Sequence, residues 1–513
     1  MFQTVSKILL FYTLFVNAQS GSTPGPEVTL AYGTFQGFSE GGLDKFLGIP
    51  FAQAGRFELP QTPTPFSKVQ NATAFGPACP QQNLSSTPSL PFSFQTRVPN
   101  GISEDCLFVN VIAPSNIPSG TRLPVLFWIF GGGFEEGDTS ANDGSIVVNR
   151  SIALGEPVVY VSANYRLNGT TFGFSASKEI KAAGIGNLGL RDREFSHLFV
   201  SWGESAGAIS VGSHMVINGG NQEGLFHGAF MESGSPVAMA DISAGQPFFN
   251  QLVTNAGCSG SLDVLACLKA VPLETFLDAV NESPNLLSFM SLQLAWEPRI
   301  DGDLITENPQ DSLVKGAFSN IPFANGDCDD EGTTSEEAEN YLHRNYYPDA
   351  SDAQFAPLKL LYPNNPAAGS PFGTGDANQL TPQFKRLAAF QGDAVFQAPR
   401  SLRKDKTLVY KRGKTANGLL GSFHESDLAE FYSSSSTPDF QGTDALVNFA
   451  NTGNPNNGAT KNISTLIYWP MYSTNLEKPP LLTFLDPHGL AITEDTFRFE
   501  PIQALIKLSR EFP

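Results

Sequence analysis

Apolar residues in this chain gather in short, nearly unbroken runs: Cys106–Ile112, Val125–Phe130, Val158–Val161, His197–Trp202, Gly228–Met231, Ile321–Ala324 and Thr407–Tyr410. Such runs, rich in β-branched and aromatic side chains, mark strands covered on both faces of a parallel sheet, where neither face meets water. Helical stretches lie between some of them, among them Ala206–Val216 and Ser261–Leu268. This alternation predicts an α/β layer fold with a mostly parallel sheet. Val28–Phe35 reads instead as a half-buried strand. No repeat, Ser/Gly linker or break in composition divides the chain, so residues 19–513 are read as one domain. Ser85–Pro99, rich in Ser, Pro and Phe, reads as a surface flap, and Asp327–Glu339 as a solvated acidic loop running into a helix.

The first residues add an address. A single early charge, Lys7, precedes the apolar run Ile8–Val16 and the small-residue stretch Val-Asn-Ala at 16–18. That is the build of a secretory signal over residues 1–18. The run is too short to span a bilayer and nothing else approaches ~20 apolar residues, so a secreted chain without a membrane anchor is expected. Six Asn-x-Ser/Thr acceptors, Asn71, Asn83, Asn149, Asn168, Asn281 and Asn462, suit export. Export also permits cystine, and spacing favours two local loops, Cys79–Cys106 and Cys258–Cys267, leaving Cys328 as a small buried thiol. Asp and Glu outnumber Lys and Arg 50 to 31. The resulting field repels phosphate backbones and anionic lipid, which argues against nucleic-acid partners.

Two segments match Gly-x-Ser-x-Gly, so the pattern alone decides nothing. Gly37–Gly41 runs into Gly42 with no helix after it and reads as a hairpin turn. Gly203–Gly207 follows the apolar run His197–Trp202 and leads into small residues that suit a tightly packed helix start. That is the strand–turn–helix setting in which a strained turn lifts a serine, here Ser205, clear of a sheet. Phe130-Gly-Gly-Gly-Phe134 follows another strand, and Gly132, Gly133 and the N–H of Ala206 are the candidate oxyanion hole. Of the six histidines, His197 precedes the serine, His214 and His227 follow it too closely for an acid-bearing strand to intervene, and His343 lies in a charged, solvated helix. His424, after the Thr407–Tyr410 strand and a glycine-containing loop, is the preferred base, with His488 second. The acid should end the Ile321–Ala324 strand, where Asp327, Asp329, Asp330 and Glu331 compete and physics alone does not choose.

At these residues the sequence resembles the type-B carboxylesterase/lipase family, an α/β-hydrolase group that also contains cholinesterases. The resemblance spans nearly the whole chain after the signal. It is carried by Gly48–Ala52, Arg56-Phe57, Ser103–Leu107, Phe130–Phe134, Asn164–Arg166, Gly186–Leu190, Gly203–Gly207, Asp330–Thr333 and Phe423-His424. It implies an α/β-hydrolase fold, with a large mostly parallel central sheet flanked by helices. It further implies Ser205 as nucleophile, Glu331 as acid, His424 as base, and a structural ion pair between Glu104 and Arg166. Phe130, where many relatives carry His, points to secreted fungal lipases and sterol esterases, in which the Cys79–Cys106 loop would be the lid. The implied partner is a small-molecule or lipid ester, met in solution or at an oil–water interface; no metal and no organic cofactor is implied.

The chain departs from its relatives between Asp192 and Ser205, where they carry a full crossover helix and Arg193–Ser196 here passes almost directly into His197–Trp202. The crossover helix is therefore expected to be truncated. Besides an active esterase, two readings stand: a splice or gene-model product left unstable by a bare sheet, and a non-catalytic cell-surface binding protein of the cholinesterase-like kind.

Overall fold

The computed structural model describes residues 25–84, 98–169, 173–193, 199–332, 338–402, 408–412, 419–433, 439–456, 463–473, 476–485 and 489–513. The expected signal, most of the flap, His197, His488 and Asn462 lie outside them.

The apolar runs become the strands of an 11-stranded sheet. In chain order these are β1 (Phe38–Glu40), β2 (Leu43–Pro50), β3 (Phe108–Pro114), β4 (Val125–Ile129), β5 (Val159–Ala163), β6 (Phe199–Glu204), β7 (Phe226–Glu232), β8 (Phe323–Cys328), β9 (Leu408–Arg412), β10 (Pro480–Phe484) and β11 (Leu490–Glu494). Across the sheet they lie in the order β11-β10-β9-β8-β7-β6-β4-β5-β3-β2-β1. Pairing is parallel from β10 through to β5 and antiparallel at both flanks. The chain steps outward from β4 to β5 and then returns to lay β6 on the other side of β4, so strand order reverses there. In open α/β sheets such a switch point leaves a crevice at the carboxyl ends of the strands.

Val28–Phe35 is not one strand but a hairpin, Glu27–Leu30 against Gly33–Gln36, which pairs with Gln70–Asn71 in a small separate sheet. The turn at Ala31–Tyr32 tucks the Tyr32 ring beside Phe35 and Phe66. Gly37–Gly41 is a hairpin as expected: β1 pairs with β2 through the turn at Gly41-Gly42.

No helix lies between the short Leu188–Arg191 helix and β6 among the described residues, in keeping with a truncated crossover. The sheet is nevertheless not bare there. Every residue of β6 and of the following Ala206–Val216 helix is buried. The cover comes from aromatic rings. Trp202 packs on Trp128 and Tyr432 at 4.5 and 4.9 Å, and Phe199 sits between Phe127 and Phe226 at 5.0 and 6.3 Å. A second apolar cluster, including Tyr346, Phe355, Phe390 and Leu505, joins the Phe384–Gly392 helix to the C-terminal helix Phe499–Glu511.

Both expected disulfides are formed, and Cys328 is buried outside either of them. The ion pair expected between Glu104 and Arg166 is not. Glu104 is partly exposed and pairs with Arg56, whose Nη2 lies 3.0 Å from Glu104 Oε2. Arg166 is buried and takes the fully buried Asp192 instead, donating from Nε at 2.8 Å and Nη2 at 2.6 Å. A buried guanidinium needs a partner that is itself desolvated, and Asp192 meets that condition where Glu104 does not. Of the Asn-x-Ser/Thr acceptors, Asn71, Asn83, Asn149 and Asn281 are exposed. Asn168 is fully buried with its amide donating to Glu135 O at 3.1 Å, which closes that site in the folded chain.

Asp192→Asn should leave Arg166 buried without a counter-charge and destabilise the fold by about 3–5 kcal/mol. Glu104→Gln should cost less than about 1 kcal/mol. Paired urea denaturation curves measure both.

Candidate active site

Ser205 stands at the carboxyl end of β6, beside the switch point, and its backbone shows the cost of that place. Its φ of 54° and ψ of −125° lie outside the regions that L residues favour, strain of a kind that functional turns store. The turn is possible because the next helix can approach β4 very closely. A Cβ on Gly207 would fall 2.0 Å from Ile129 O, so glycine is required there. The Ser205 N–H is held by Glu232 O at 2.9 Å.

The structure brings Ser205, His424 and Glu331 together. His424 Nε2 lies 2.8 Å from Ser205 Oγ, and His424 Nδ1 lies 2.6 Å from Glu331 Oε2. Glu331 is fixed in turn by its other oxygen, which accepts from Cys328 N–H at 2.6 Å. Phe396 covers the imidazole, with ring centroids 4.6 Å apart. It is carried there by a π-helical turn, Asp393–Gln397, a local widening that often marks functional sites.

The four carboxylates left open by the sequence have four different fates. Asp327 is buried and paired with Arg400 at 2.6 Å. Asp329 is partly exposed. Asp330 is buried and accepts from Ser370 Oγ, Phe372 N–H and Ser422 N–H at 2.8 to 3.0 Å. Only Glu331 reaches the histidine. The solvated acidic loop expected from Asp327 is therefore buried at its start, because these side chains tie loops together. The other described histidines stand apart. His214 is buried against Leu190 O at 3.2 Å, and His227 is exposed. His343 is half-buried rather than solvated, stacked on Phe355 and 2.5 Å from Ala350 O.

Gly132 and Gly133 follow β4 with φ of 87° and 62°, values that only glycine adopts freely. Gly132 O accepts from the N–H groups of Glu135 and Glu136, both at 3.0 Å, which closes the turn. Phe130 stacks on Tyr165 at 4.4 Å beneath it. Gly132, Gly133, Ser205, Ala206, His424 and Glu331 all line one cavity of about 1020 Å³. Much of its remaining wall is apolar, including Phe134, Val237, Phe248, Leu286, Met290 and Leu294.

Sequence reasoning missed the second carboxylate at the histidine. Glu204, the last residue of β6, is buried with Oε1 3.3 Å from His424 Nε2. Its position beside Ser205 was the available signal. Burial first, and then the carboxylates of Glu425, Asp427, Glu232 and Glu331, push its pKa well above the ordinary range. For His424, burial alone would lower the pKa, but Glu331, joined by Glu425 and Asp427, outweighs it and holds the imidazole above its ordinary value. Such an arrangement can deprotonate a serine hydroxyl and steady the imidazolium that results. Among the described residues no cluster of His, Cys, Asp and Glu suits a metal ion.

The carboxylesterase family model matches the chain over residues 24–201 and 200–356, two segments that meet at the start of β6. Lipase 4 of Diutina rugosa is 34% identical over 97% of this chain and 98% of its own length. Secreted lipase 1 of Botryotinia fuckeliana (strain B05.10) is 36% identical over 88% of each. Among solved structures, Aspergillus niger EstA superposes with a TM-score of 0.79 at 25% identity, covering 96% of this chain and all of that one.

Glu331→Gln should keep the ring in place but favour the wrong tautomer, lowering kcat on the order of 10⁴-fold toward a soluble ester. With a neutral His424 required as base, kcat/KM should fall as pH drops through the His424 pKa. Because Asp427 helps to raise that pKa, Asp427→Asn should move the acid limb of the pH profile to lower pH.

Proposed function

The chain belongs to the carboxylesterase family, and on that footing we propose that it is a secreted serine hydrolase that cleaves carboxylic esters, fatty acyl esters among them, through an acyl-enzyme on Ser205. The observation that carries this reading is the unbroken relay from Ser205 Oγ through His424 to Glu331, set at the strand switch point inside a largely apolar cavity.

In this mechanism His424 Nε2 takes the Ser205 proton as Oγ attacks the ester carbonyl, while Glu331 holds the Nδ1–H tautomer and stabilises the imidazolium. The N–H groups of Gly132, Gly133 and Ala206 donate to the tetrahedral oxyanion. The N-terminal end of the Ala206–Val216 helix adds to the same field. His424 then gives its proton to the leaving alcohol, and a water activated by the same imidazole releases the acid from Ser205. These steps need no metal or organic cofactor.

Export is supported by the leader read over residues 1–18, two disulfides, exposed acceptors at Asn71, Asn83, Asn149 and Asn281, and relatives named as secreted lipases. No helix among the described residues is long and apolar enough to cross a membrane. The apolar wall of the cavity supports a fatty acyl group as the acid portion.

The short crossover favours a second reading, an unstable or inactive product of altered splicing, since the family model breaks at residues 200–201. Expressing this chain beside a version with the crossover helix restored separates the two. Equal secretion and equal ester turnover support the active enzyme; activity in the restored version alone supports the second reading. Rates across acyl lengths, below and above substrate solubility, test the acyl preference. A rise in rate on crossing into emulsion is expected of a lipase, and a flat response points to soluble short-chain esters.

A further inference from the structure

Glu135 follows the oxyanion turn directly and has no part in the mechanism above, yet its side chain is entirely buried. A buried carboxyl group without a purpose is costly, so its contacts matter. Its Oε2 accepts from the backbone N–H of Leu286 at 2.7 Å. Its backbone does as much: Glu135 N–H donates to Gly132 O at 3.0 Å, and Glu135 O accepts from Gln82 N–H at 3.0 Å and from the Asn168 amide at 3.1 Å. One residue thus bonds to the turn, to the chain at Gln82 and Asn168, and to the segment that begins at Leu286.

That segment is the wall nearest the turn. A Cβ placed on Gly133 would meet the methyl groups of Leu286 at 3.5 Å and Leu294 at 3.8 Å. Leu286 and Leu294 both line the cavity with Gly132 and Gly133. The turn has little intrinsic stiffness. Two of its residues are glycines with positive φ, and Phe134 after them is held at φ 61°. Residues of this kind keep such conformations only when their surroundings over-determine them.

We infer that Glu135 is a positioning residue, which fixes the N–H groups of Gly132 and Gly133 by tying their turn to the Leu286 wall of the cavity. The inference rests on the proposed role of those two N–H groups in holding the oxyanion. Glu135 enters this network as a hydrogen-bond acceptor through Oε2. Burial, with lesser contributions from Glu136 and Glu297, pushes its pKa well above the ordinary range, against the opposing bond from Leu286 N–H. Its second oxygen, Oε1, has no hydrogen-bond partner among the described residues. Glutamine can accept the same bond through its amide oxygen, whereas a side chain without an acceptor leaves the Leu286 N–H stranded.

The test compares the wild-type chain with Glu135→Gln, Glu135→Ala and Glu135→Leu on a soluble p-nitrophenyl ester and on a p-nitrophenyl phosphonate. The phosphonate places its oxygen where the oxyanion would sit. Glu135→Ala is expected to lower kcat by about 10- to 100-fold, short of the full loss of an oxyanion donor. KM should stay within about twofold, phosphonylation should slow in parallel, and Glu135→Gln should retain kcat within about threefold. Glu135→Leu fills the same space without accepting the bond, and carries the comparison if the alanine variant does not accumulate. The inference is overturned if the folded alanine and leucine variants keep wild-type kcat, if the loss falls on KM alone, or if glutamine fares no better than leucine. A wild-type chain that neither turns over esters nor reacts with the phosphonate overturns the proposed function instead, and with it the basis of this assignment.

Discussion

Asp330 touches no reacting group, yet the geometry of the site hangs on it. One of its oxygens gathers Ser370 Oγ and Phe372 N–H, and the other accepts Ser422 N–H, while its own N–H donates to Ser422 O at 2.9 Å. The loop bearing Glu331 and the loop bearing His424 are thereby pinned together, one position before Glu331 and two before His424. Displacing a catalytic group by 1 Å can cost about 10²-fold in rate, so in the proposed mechanism a pin at this spot governs chemistry from which it is absent. Burial raises the Asp330 pKa to about 6, against the pull of the three donors. Those donors are worth most to the ionised form.

The same logic extends outward from the pin. The Glu331 loop leaves β8, Ser205 leaves β6 and the Gly132–Gly133 turn leaves β4, all at the same end of one sheet. The sheet supplies common footing, and short polar clips set the final positions. Around His424 the clips are mostly carboxylates, with Glu331, Glu204 and Asp427 converging on one imidazole in a chain already rich in acid. Their shared burial raises the energy of negative charge, and a transient imidazolium relieves it. In the proposed mechanism the site is thus organised in advance for the charge that appears when Ser205 gives up its proton.

The sheet was legible in the sequence because burial on both faces leaves an unmistakable signature, and each apolar run from Cys106 to Tyr410 corresponds to a strand. Ser205 was legible through its strand–turn–helix surroundings, and glycine was legible wherever backbones meet at close range, as at Gly207. Partner choice was not. Arg166 selects Asp192 over Glu104 by burial in three dimensions, which no local pattern encodes. Among Asp327, Asp329, Asp330 and Glu331, chemical type is nearly constant and only the direction of the chain after β8 separates them; the resemblance alone singled out Glu331, which lies against His424. Glu204 and Glu135 escaped notice for a related reason: each looks like an ordinary acidic residue beside a motif, and its burial becomes visible only once the neighbouring strands are in place.

The π-helical turn at Asp393–Gln397 sets a further limit, this time on the chain's history. The helical run containing it is engaged on both sides of the turn. Gly392 lies close beside Glu331, so that a Cβ on it would sit 3.2 Å from the Glu331 Cβ. At the far end of the turn Gln397 donates to Cys328 O at 3.0 Å, and beyond it Arg400 holds both Asp327 and Asp495. An α-helix turns about 100° per residue, so gaining or losing one residue here would rotate one set of contacts away from the other. The run is phase-locked: point substitutions can drift through it, but a single-codon insertion or deletion cannot be absorbed without unseating either Glu331 or Arg400.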